Sequence, residues 1–166
     1  MVERYEFNKL PESVEELKAL PNYGFDSPFK VAALLMASLT AWSKDRNACY
    51  DMIDSLKGPQ KLSTYERQFI RDRMMSKGDY IALSYFKGAK PDNGYQPNVP
   101  YVIEIQDNPY SYNDEGYANL HVQSGGADSI RPIKLRRKGK SNEWFVWEFP
   151  GVLADIRKPV EEDPWA

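Results

Sequence analysis

The sequence predicts an α+β fold, in which N-terminal helices pack on one face of a curled antiparallel meander. Two observations carry that prediction. Apolar residues recur at helical spacing through the first half, and at alternating spacing between residues 101 and 149. The segment IRPIKLRRKGKSNEWFVWEF, residues 130–149, also reads as two alternating strands around a Lys-Gly-Lys-Ser-Asn turn.

The helices come first. Ser13 and Glu16 have the spacing of a capping box, and the short helix they open stops before Pro21. Asp26-Ser27-Pro28 offers an N-cap followed by proline at the first helical position, where a missing N–H costs nothing. From Phe29 to Trp42 the chain is almost wholly apolar, so this helix is expected at the centre. Asp45 caps a third helix that Gly58-Pro59 ends near Leu56, with Cys49, Met52, Ile53 and Leu56 on one stripe. Ser63 and Glu66 form a second capping box, whose helix turns Phe69, Ile70 and Met74 inward and Arg67, Arg71, Arg73 and Lys77 outward.

After Gly78 the period changes. Residues 80–86 fit a short strand or a helical turn equally well. Residues 87–100 hold three prolines and Asp92-Asn93-Gly94, the composition of a surface loop. Four strands follow, at 101–106, 117–124, 130–137 and 144–149, and their order gives a meander. The expected organisation is a single domain: a helical layer over 1–78, a sheet over 79–149, and an extension over 150–166 tethered to the domain. Trp165 is expected to fold back onto it.

Alternation sorts the sheet into two faces. One collects Ile103, Ile105, Leu120, Val122, Ile133 and Leu135. The other collects Glu104, Gln106, Asn119, His121, Gln123, Lys134, Arg136 and Lys138. In the last strand both faces are apolar, with Trp144 and Val146 on one side and Phe145, Trp147 and Phe149 on the other. The sheet therefore curls to enclose its end, or the C-terminal segment covers it. The polar face is the one stretch with the makings of a site. Its candidate ligand- or partner-contacting residues are His121, Asn119, Gln123, Lys134, Arg136, Trp144 and Trp147. The plainer reading is a solvated face whose charges pair across strands, each pair contributing ~0.2–1 kcal/mol.

Composition narrows the chemistry. A formal net charge of -2 and a pI near 5.5 confine basic function to the local run of Lys and Arg between 131 and 140, so nucleic acid is not the expected partner. One cysteine and one histidine exclude an internal disulfide and any Cys/His zinc cluster. No metal, cofactor or catalytic residue is assigned. The Ser124–Ser129 stretch leads toward a strand rather than a helix, so it reads as a hairpin turn and not a phosphate loop. Asp107, Asn113, Asp114 and Glu115 lack the ligand order of a calcium loop. Charges in MVERYEFNKL stand where a signal peptide needs an apolar core, and the apolar run 31–37 is too short to span a bilayer. No membrane association is expected.

A string of short motifs carries a resemblance: Lys57-Gly58-Pro59, Ser63 with Tyr65-Glu66, Tyr85-Phe86 with Gly88-Ala89, Asp107-Asn108-Pro109-Tyr110-Ser111, Gly126-Ala127-Asp128-Ser129 and Lys134-Leu135-Arg136. Trp144 with Trp147-Glu148, Asp155-Ile156-Arg157 with Pro159, and Glu162-Asp163-Pro164-Trp165-Ala166 complete it. From about Phe29 onward the chain resembles an uncharacterised family of small proteins from Firmicutes, especially gut Clostridia. The resemblance implies a bacterial, cytoplasmic protein and brings no catalytic residues with it. Helices followed by a curled meander are also loosely similar to the cone-shaped NTF2-like class, an analogy of fold alone. Two functions are carried forward. One is a non-enzymatic module binding a ligand, a protein partner or a second copy on the polar sheet face or in the cleft beside Trp144 and Trp147. The other is a small-molecule enzyme whose pocket, between helices and curled sheet, contains His121.

Overall fold

A computed structural model describes residues 1–75, 77 and 79–166. Gly78, the expected point of changed period, lies outside the described residues. Among the described residues, five α-helices form a layer on one face of a curled five-stranded antiparallel sheet with strand order β1-β2-β3-β4-β5. The fold is α+β, as the patterning predicts.

Each predicted helix forms, with small differences at its ends. In α1 (Val14–Lys18) Ser13 accepts a hydrogen bond from the Glu16 N–H, but the Glu16 carboxylate accepts from Glu12 N–H instead, so only half of the capping box is present. Helix α2 (Pro28–Leu39) starts at Ser27, with Pro28 at its first position. All its residues but Lys30 are buried, because it lies across all five strands and has no side left for water. Asp45 caps α3 (Arg46–Lys57), which ends at Gly58 with φ of 66°. The full reciprocal box of Ser63 and Glu66 opens α4 (Thr64–Met74). Residues Tyr80–Leu83 form the one-turn helix α5, which resolves the ambiguity there.

Helices are not the first element. Val2–Phe7 is a strand, β1, paired antiparallel with β2 (Tyr101–Gln106) in a register running from Val2 opposite Gln106 to Phe7 opposite Tyr101. The sheet therefore has five strands, not four. VERYEF does alternate, but its charges sit on an edge strand whose outward side faces water, so its period is short and weak. The meander continues through β3 (Tyr117–Val122), β4 (Arg131–Lys138) and β5 (Glu143–Glu148).

Ile103, Ile105, Leu120, Val122, Ile133 and Leu135 all face the helices and are buried. The opposite face is polar but not uniformly so. Val102 shares the parity of Glu104 and is nevertheless buried, since the 87–100 segment crosses it and Lys87 N–H donates to the Val102 carbonyl. That segment is less superficial than its composition indicates. Tyr95 turns inward with φ of 57°, is fully buried, and stacks on Tyr80 at 5.3 Å between ring centroids. The Tyr95 hydroxyl donates to the Arg157 carbonyl, and Arg157 N–H donates to Gly126 O.

The C-terminal segment thereby runs along the domain, burying Val152, Leu153 and Ile156. Trp165 does not follow: it is 93% exposed, against the expectation that it folds back. Among the described residues, no helix is long and apolar enough to cross a membrane.

Candidate functional site

The site residues are placed by an irregularity in the last strand pair. Lys134 stands opposite Glu148, whereas Leu135 stands opposite Val146. One extra residue, Trp147, is left over in β5, the arrangement of a β-bulge, which re-aims a side chain. Trp147 turns to the polar face, and Val146 stays in the core.

Strand register sets the rest. Arg136 lies opposite Tyr117 on β3 and opposite Phe145 on β5. Its guanidinium carbon sits 4.6 Å from the Trp147 ring centroid and 5.5 Å from that of Tyr117. The two rings meet edge to face at 6.0 Å. Lys134 lies 4.7 Å over Tyr117 and pairs with Asp114 at 3.7 Å. Among the described residues Arg136 has no ion pair and no hydrogen-bond partner, so two aromatic faces hold it while its N–H fork stays free. A guanidinium held in that way is suited to bidentate contact with a carboxylate or phosphate.

Beside this stack runs a groove of about 460 Å³, lined by Lys57, Pro59, Gln60, residues 136–139 and residues 145–147. Lys57 is the buried cation among these lining residues. The Lys57 ammonium is buried, donates to the Trp147 carbonyl at 3.0 Å and meets the Glu66 carboxylate at 3.4 Å. It ties the end of α3 to the bulged residue of β5. Gly58 allows the closest approach: a Cβ there would lie 2.6 Å from the Phe145 ring, and its positive φ already disfavours any other residue.

The other sequence-predicted residues are dispersed. Asn119 is opposite Lys134 and its N–H donates to Ser111 O, which holds the 107–116 loop against β3. Gln123 spends its amide on the carbonyls of Ser124 and Ala127. Trp144 is half-buried against the core and 6.0 Å from Arg137. His121 stands between Gln106 and Pro132, with Nδ1 shielded from solvent and unpartnered among the described residues. Burial lowers its pKa, which favours a neutral imidazole. It lines none of the five clefts described for the molecule.

Patterning missed Tyr117, Lys57 and Gln60. Tyr117 has the parity of Asn119 and His121 and was recoverable from alternation. Lys57 and Gln60 come from a helix end some 80 residues upstream, and nothing local marks them.

The basic run 131–140 is likewise divided by the fold. Arg131 turns to Ser129 and Ala154, Lys134 to Asp114, and Arg136 to the rings. The Gly125-Gly126 turn is a packing device. A Cβ on Gly125 would overlap the Ala89 carbonyl oxygen, and one on Gly126 the Tyr95 hydroxyl. Cys49 lies in the core, where burial pushes its thiol up to about 12, far from a reactive thiolate.

Residues 9–160 match the profile of a family described as a Domain of unknown function (DUF6935). No curated protein and no solved structure matches the chain.

Proposed function

We propose that this chain, which belongs to the DUF6935 family, is a non-enzymatic binding module whose polar sheet face recognises an anionic group. Arg136 makes the contact to the anion. Trp147 and Tyr117 hold its guanidinium, Lys134 adds charge, and the groove lined in part by Lys57 receives the remainder of the ligand or partner. Asn119, His121 and Gln123 continue the same face away from the groove, and Trp144 supports it from the core side. The observation that carries this reading is the free fork of Arg136 between two aromatic rings, on the rim of a cleft. An aromatic shelf around an uncommitted guanidinium resembles the centre of a binding hot spot rather than a solvated charge.

The enzyme reading depends on His121, and that ring lines none of the described clefts. The family resemblance supports a bacterial, cytoplasmic setting. The contacts along residues 152–157 support one domain with a tethered C-terminal segment.

A thermal-shift screen tests the proposal, using inorganic phosphate, pyrophosphate, dicarboxylates, nucleotides and sugar phosphates on the native chain and on Arg136→Ala. A ligand at 100 times its dissociation constant adds about 2.7 kcal/mol. At least one anionic probe is expected to raise the melting temperature of the native chain and leave Arg136→Ala unmoved. Equal shifts in both chains, or none in either, overturn the reading.

A further inference from the structure

We infer that the occupant of the Arg136 groove is the acidic, tryptophan-bearing tail of a second copy of this chain. The inference rests on the anion-binding reading above and names the partner for the same site.

The tail is ordered to present its indole. After the 3₁₀ turn Val160–Glu162, the Asp163 carboxylate accepts a hydrogen bond from Trp165 N–H at 2.9 Å, and Ala166 N–H donates to Asp163 O. Glu161, Glu162 and Asp163 supply three carboxylates, and residues 159–166 contain no Lys or Arg. Trp165 at 93% exposure leaves in water most of the ~150–250 Å² that an aromatic side chain usually buries.

The groove is the complement in both respects. Arg136, Arg137 and Lys138 line it, and among the described residues none of them has a carboxylate within ion-pair distance, although Glu143 stands opposite Lys138 in register. Phe145 and Trp147 supply aromatic walls. Its volume of about 460 Å³ falls in the ~300–1,000 Å³ range of clefts that bind organic groups. An indole flanked by carboxylates meets rings flanked by cations.

The chain's own tail is directed elsewhere. It is anchored by the Arg157 N–H to Gly126 and by the Tyr95 hydroxyl, beyond the Arg131 end of β4. Its 3₁₀ turn packs against the turn Pro91–Asn93. The groove lies at the Lys138 end, a strand of eight residues and about 23 Å away. A neighbouring copy meets the geometry. Reciprocal exchange of tails closes a dimer, and one-way insertion builds longer assemblies.

Sedimentation velocity of the full chain across a concentration series is the test, run on the native chain, Trp165→Ala and Arg136→Ala. It is paired with titration of a labelled, C-terminally amidated peptide of residues 157–166. Concentration-dependent association is expected in the native chain and lost in both variants. The peptide should bind the Trp165→Ala protein and bind Arg136→Ala about ten- to a hundred-fold more weakly, the loss of one charge-assisted contact. A native chain that stays monomeric and ignores the peptide overturns the inference. So does association that survives both substitutions. If the chain is monomeric yet inorganic phosphate still stabilises it through Arg136, only the tail inference fails. If that stabilisation is absent too, the anion-binding reading fails with it.

Discussion

His121 stands half-buried between Gln106 and Pro132, with one ring nitrogen shielded and unpartnered among the described residues. Burial lowers its pKa, so in acid the unfolded chain takes up a proton that the folded chain resists. Its contribution to stability is complete above about pH 6.5, the unfolded value, and is lost as pH falls toward the lower folded value. The melting temperature of the native chain should therefore be lower at pH 5.5 than at pH 7.5. In His121→Gln, which carries no titrating ring, the difference should shrink. An undiminished difference would assign the acid sensitivity to other groups. An added methyl on Gly126 would overlap the Tyr95 hydroxyl. Gly126→Ala should lower stability by about 1–3 kcal/mol by overpacking, in urea or thermal unfolding. Tyr95 is buried on all sides and cannot retreat without giving up its hydrogen bond to Arg157 O.

Among elements, β5 and the end of α3 form one unit. Lys57→Met would keep the aliphatic stem but leave the Trp147 carbonyl without its Lys57 donor and take the ammonium from Glu66, whose carboxylate keeps the Ser63 N–H, at a cost of about 1–3 kcal/mol. If bulge and helix end are coupled in this way, the substitution also weakens anion binding at Arg136, which a thermal-shift comparison detects. Unchanged affinity would separate the two. At the other edge, Phe7 is buried on β1 and packs edge to face on Phe86 at 6.4 Å. Phe7→Ala should cost about 3–5 kcal/mol, although the residue lies in a stretch with little sequence signal. The elements most legible in the sequence were those whose cause is local. Asp45, Ser63 with Glu66, and Pro28 mark helix starts by satisfying backbone groups a few residues away. Ile103, Leu120 and Ile133 mark a sheet face by period two. β1 was illegible because its partner strand lies about 100 residues downstream and Glu3 interrupts the apolar parity of Tyr5 and Phe7. The bulge at Trp147 was illegible for a related reason: alternation gives the parity of a strand but not the step in its pairing.

Across the molecule, the helices seal one face of the sheet around α2 and leave much of the other face to water. Parity assigned Lys134 and Arg136 to that open face, and the curl and bulge then gathered them with Tyr117 and Trp147 while carrying Gln123 and Trp144 to other duties. On the function proposed above, this gathered cluster, and not the His121 region or the Gly125-Gly126 turn, recognises an anionic group. A two-dimensional ¹H–¹⁵N NMR titration of the Trp165→Ala chain with inorganic phosphate, following the Trp147 indole N–H and the Arg136 Nε–H, tests this recognition. Saturable shifts are expected at both, with the core indole of Trp42 unmoved. Saturable shifts confined to residues around His121 or Ser124–Asp128, or no saturable shift at Trp147 and Arg136, would contradict it.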